Sequence, residues 1–71
     1  MTNGETREMS TTMKNVLRYL KELLGDNAEY VSYGTIAKAV GKSRHAVSYA
    51  IERLKIEGKL RVYDGKLSVV A

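Results

Sequence analysis

The most chemically capable side chains in this 71-residue chain lie between positions 42 and 53: Lys42, Ser43, Arg44, His45, Ser48, Tyr49 and Arg53. One imidazole, three hydroxyls and three cations fall within twelve residues. Such groups donate and accept hydrogen bonds and neutralise anions. They do not assemble a reactive centre. His45 is the only histidine, cysteine is absent, and the nearest acid along the chain, Glu52, stands alone seven positions on. Nucleophile–base pairs, paired carboxylates and metal clusters each need at least two such groups together. The set points to recognition of an anionic partner without bond-making. We expect no enzymatic activity, no metal and no cofactor.

The charge distribution agrees. The net charge is +4, and residues 42–66 carry all of it: seven bases (Lys42, Arg44, Arg53, Lys55, Lys59, Arg61, Lys66) against three acids (Glu52, Glu57, Asp64). A local basic excess is the electrostatic footprint of a polyanion partner, although the same excess also serves solubility. With 44% apolar and 28% charged residues the composition is that of one small globular domain. A core this small consumes most of its apolar side chains, so no pocket for a small-molecule substrate is expected. The N-terminal residues are polar and acidic and match neither a signal nor a transit peptide. No apolar run approaches the roughly 18 residues of a membrane span. A cytoplasmic protein without a membrane partner is the expectation.

Elements must position these groups, and the pattern supplies them. Residues 1–9 lack periodicity and read as a disordered arm, leaving 10–71 as the domain. Ser10, Thr11 and Thr12 offer N-caps, and Met13, Val16, Leu17, Leu20, Leu23 and Leu24 recur at helical spacing. A first helix is predicted over 12–24, stopped by Gly25. Tyr30, Val31 and Ser32 are β-prone and predict one short edge strand. Ser32 then caps a second helix running to Ala39 or Val40, with Ile36, Ala37 and Val40 on its buried face and Gly41 closing it. Ser43 caps a third, over about 43–57, whose buried face is Val47, Ala50, Ile51 and Leu54, and Gly58 ends it. Leu60 and Val62, then Leu67 and Val69, alternate with polar residues around Asp64-Gly65, the pair favoured in a type I′ hairpin.

Two short helices joined by a tight Gly-containing turn form a helix-turn-helix unit. The string is Thr35-Ile36-Ala37-x-x-Val40-Gly41-x-Ser43-x-x-x-Val47-x-x-Ala50-Ile51-x-x-Leu54, followed by Gly58 and a hairpin. With it, residues 32–63 resemble the winged-helix DNA-binding family, as found in the SOS-response repressor and the multiple-antibiotic-resistance repressors. The resemblance implies an α+β fold, a small winged helix-turn-helix with three helices packed on a two- to three-stranded antiparallel sheet in the order α-β-α-α-β-β. It further implies double-stranded DNA as partner, with the third helix in the major groove and the hairpin, or wing, beside the duplex. Residues 31–41 also resemble the helix-turn-helix part of alkylguanine-DNA alkyltransferases. Those enzymes carry a Pro-Cys-His-Arg motif, and this chain has neither cysteine nor proline.

At about 100° per residue, the third helix turns His45, Ser48, Tyr49 and Glu52 away from its buried stripe, with Arg44 and Arg53 on the flanks. His45, Ser48 and Tyr49 are the candidate base-reading residues, because base contacts come from the first turns of a recognition helix. Lys42 and Arg44, with Lys38 a weaker candidate, suit phosphates, as do the N–H groups that follow Ser43. Ser43 itself serves first as a cap. Tyr33 and Thr35 start the second helix, where family members touch the DNA backbone, and capping or packing serves them equally well. Arg53 either reaches the backbone or solvates its helix, and Glu52 is expected to pair with a neighbouring base. On the wing, Arg61 and Lys66 share the outward face with Tyr63 and Ser68. They either clamp phosphates or guard a strand edge. Ile56 faces away from the core, as a partner contact or a prop under the wing. The functional expectation is a transcriptional regulator, with a protein-interaction module or an architectural DNA factor as alternatives. A homodimer on a palindromic site stays open.

Overall fold

The computed structural model describes residues 10–70, so the arm expected over 1–9 lies outside them. The chain forms α1 (Thr11–Leu24), α2 (Tyr33–Val40), α3 (Arg44–Ile56), β1 (Leu60–Tyr63) and β2 (Lys66–Val69). The class is α+β. Each helix starts where a serine can take up a free N–H: Ser10 Oγ accepts from Met13, Ser32 Oγ from Thr35 and Ser43 Oγ from Ala46.

The three helices and the hairpin enclose one core. It contains Met13, Val16, Leu17, Leu20 and Leu24 from α1, Ile36 and Ala37 from α2, Val47, Ala50, Ile51 and Leu54 from α3, and Leu60 and Leu67 from the strands. Val40 and Val69 pack half-buried against it. Leu23, expected in the stripe of α1, is instead 49% exposed. The reason is angular: Leu20 and Leu24 stand on the core line, and Leu23 is rotated about 100° from Leu24.

The hairpin pairs Leu60 with Val69, Arg61 with Ser68, Val62 with Leu67 and Tyr63 with Lys66. Asp64 and Gly65 both adopt positive φ, at 55° and 80°, as a type I′ turn requires. The edge strand expected at Tyr30, Val31 and Ser32 does not form. A single bridge between Glu29 and Leu67 stands in its place, which makes the observed order α-α-α-β-β. Ser32 is already committed to capping α2, so the chain leaves the sheet after one paired residue. This contact explains a second departure. Leu67, flanked by Val62 and Glu29, is buried, whereas Val62 on the outer strand is 41% exposed despite its inward alternation.

Candidate nucleic-acid interface

The turn between α2 and α3 sets the geometry of the candidate site. Gly41 sits in the left-handed region at φ 71°, and its N–H and that of Lys42 both donate to the Ala37 carbonyl. The Lys42 bond is the 6→1 contact of a Schellman closure, which satisfies the Ala37 carbonyl and reverses the chain in three residues. Ser43 then starts α3 at once. A shallow open cleft of about 320 Å³ lies between the start of α2 and the first turns of α3, lined by Tyr33, Arg44, His45 and Ser48.

The electrostatics of this cleft have one sign. Neither α2 nor α3 has an acid in its first turn. Free N–H groups at a helix N-terminus carry partial positive charge, so local rules favour an acid there. The sequence instead places Arg44 at the first position of α3. Its side chain lies across the start of α2, where a Cβ on Gly34 would meet Arg44 Cδ at 3.8 Å and Nε at 3.9 Å. A cation laid over helix N-termini costs a few tenths of a kcal/mol in isolation, and a bound anion reverses that sign.

Four of the sequence-derived residues therefore meet in one place: Tyr33, Arg44, His45 and Ser48. Tyr33 is half-buried and packs on the core, and Arg44 and His45 are exposed. Lys42 is exposed in the turn beside them. Tyr49 follows one turn after His45 on the same side of α3 and is 66% exposed. Ser43 caps α3. Thr35 is occupied locally, its hydroxyl 2.8 Å from Ser32 Oγ in the cap of α2. Lys38 is exposed further along α2.

The second half of α3 is organised differently. Arg53 reaches Glu57 at 3.6 Å, and Lys55 reaches Glu52 at 3.3 Å. Glu52 thus pairs with a neighbouring base, as its sequence context suggests. The Lys55–Glu52 pair is exposed and the Arg53–Glu57 pair partly so, and both are worth little in stability, but they remove two bases and two acids from the local field. The excess over residues 42–66 is unchanged at four, now as five bases against Asp64. Those five fall into two groups: Lys42 and Arg44 at the cleft, and Lys59, Arg61 and Lys66 on and beside the hairpin.

Ile56 is 70% exposed, so it does not prop the hairpin from beneath. Two features escape composition and motif reading. One is Tyr30, which sits beside the hairpin with the Lys66 ammonium 5.5 Å from its ring centre. The other is a second basic row on α1, where Lys14, Arg18 and Lys21 surround Leu17 in an open groove of about 310 Å³. Spacing at i, i+4 and i+7 would have revealed that row. The Tyr30 contact depends on the Glu29 bridge and has no local signal.

Among the described residues no group of three or more His, Asp or Glu is arranged to hold a metal, and no helix is long and apolar enough to cross a membrane. No family model matches the chain, and comparison with curated proteins and with solved structures finds no significant relative.

Proposed function

We propose that this chain is a winged helix-turn-helix protein that binds double-stranded DNA, as a transcriptional regulator acting in the cytoplasm. The observation that carries the reading is the cleft: two helix N-termini, Arg44 laid across them, and no acid in either first turn. A phosphate of the duplex backbone satisfies that arrangement, with Arg44 and Lys42 as counter-charges and the N–H groups after Ser43 as donors. Docked there, α3 presents His45, Ser48 and Tyr49 to the major groove. Imidazole and hydroxyl groups read donors and acceptors on base edges, and the tyrosine ring packs on a thymine methyl. The hairpin lies along the backbone with Arg61 and Lys66 toward phosphates. No step makes or breaks a covalent bond, and regulation consists of occupying a site.

A fluorescence-anisotropy titration with mixed-sequence duplexes at two salt concentrations tests this. Each phosphate-contacting base contributes about 0.9 to the slope of log affinity against log salt. Binding that weakens steeply with salt is the expected result, and absence of binding at low salt removes the reading. A second reading has one observation in its favour: Ile56 is 70% exposed at the far end of α3. A protein contact there, including one between two copies on a palindromic site, would cover it. Selection of bound duplexes from a random pool distinguishes the two, because a symmetric site implies paired copies.

A further inference from the structure

Lys66 stands between two tyrosines on the outward face of the hairpin. Tyr63 is its cross-strand partner, and Tyr30 comes from the loop before α2. Glu29 and Leu67 exchange both backbone hydrogen bonds, at 3.0 and 2.8 Å, which is the closely spaced antiparallel pair. The next residues outward, Tyr30 and Lys66, consequently face each other on one side of the sheet. The tyrosine also touches the turn, where a Cβ on Gly65 would lie 3.1 Å from Tyr30 Cε1. Gly65 is favoured by its φ of 80°, and the ring lies close above it. Tyr30 is still 69% exposed, so burial does not explain its place.

We infer that Tyr30 is a positioning residue for DNA binding: its ring holds the Lys66 ammonium and the hairpin tip in the arrangement that meets a backbone phosphate. This rests on the duplex-binding reading above. The physical reason is preorganisation. A free lysine loses side-chain entropy when it settles on a phosphate. A lysine already held over an aromatic face by cation–π attraction loses less, and its remaining N–H donors stay available. Among the described residues, Lys59 and Arg61 have no such aromatic partner and Lys66 does. Tyr30 belongs to the segment leading into α2, so the contact also ties the hairpin tip to the helix that forms one wall of the cleft. The two basic groups are then held in fixed relation and can take phosphates of one duplex together.

A double-mutant cycle on the full chain tests this, with duplex affinity and salt slope as readouts. Tyr30→Ala is expected to weaken binding about two- to fivefold. Tyr30→Phe, which keeps the ring, restores it. Tyr30→Leu, which keeps apolar packing against the turn without a π face, does not. Lys66→Ala lowers the salt slope by about 0.9, and adding Tyr30→Ala to it brings no further loss. In the free protein, the Lys66 ε-methylene protons show an aromatic ring-current shift that Tyr30→Leu abolishes, with the circular-dichroism spectrum unchanged. Equal losses from Tyr30→Ala with and without Lys66, or a Leu variant that binds like the Phe variant, overturn the inference while leaving DNA binding intact. Failure of the unsubstituted chain to bind duplex removes the functional reading itself and the inference with it.

Discussion

The two halves of α3 share one buried stripe and differ in what they expose. Toward the N-terminus, Arg44, His45, Ser48 and Tyr49 face outward, with no acid within the first turn and, among the described residues, no ion pair. Toward the C-terminus, Arg53 and Lys55 are held by Glu57 and Glu52. The first half carries an unfavourable cation at a helix start. The second places its cations in the last turn, where the dipole favours them, and neutralises them as well. One half is satisfied by its own chain, and the other leaves its cation open, which on the proposed reading an external anion completes. A charge count along the sequence treats Arg44 and Arg53 alike, whereas the structure gives only the first an open field.

The largest expected effect lies where the halves do not differ. Ile51 is fully buried in the shared stripe, and Ile51→Ala should cost about 2–5 kcal/mol. That is a large share of the stability of a domain this small. Chemical denaturation measures it, and a loss below 1 kcal/mol would contradict a common core. Next comes charge reversal at the cleft. Arg44→Glu should lower duplex affinity by at least about tenfold at low salt and flatten the salt slope by about 0.9. Smaller, and different in kind, are the effects of His45→Ala and Tyr49→Ala. Each should relax discrimination at its own base position by about 1–3 kcal/mol, while Lys42→Ala weakens all sequences alike. Selection from random duplexes on each variant would expose the reverse pattern. The smallest effect belongs to Arg53→Ala, with stability changed by less than about 0.5 kcal/mol and affinity nearly intact. An Arg53 effect equal to that of Arg44 would dissolve the contrast between the halves.

Local patterns made much of this readable in the sequence. Ser10, Ser32 and Ser43 cap the three helices, Gly41 reverses the chain, and Asp64-Gly65 turns the hairpin. Each of these is decided within four or five residues. Apart from Leu23, whose exposure is a matter of helical angle, the departures lie where two distant segments compete. Tyr30 and Val31 have strand propensity, but Ser32, three residues after Glu29 pairs with Leu67, is needed for a cap. Val62 alternates correctly and still loses its burial, because its strand is the outer one. The candidate site followed the same rule. Helical spacing gives the exposed side of α3, while the meeting of Tyr33 with Arg44, and of Tyr30 with Lys66, appears only once the turn and the bridge have formed.

Amide chemical-shift mapping with a short duplex tests most directly where the anion sits. The largest changes should fall on residues 33–35 and 43–49 and on Arg61 and Lys66, with residues 53–57 little affected. Changes centred instead on Lys14, Arg18 and Lys21 of α1, or on the paired residues at the end of α3, would contradict the assignment of the cleft as the DNA-binding site.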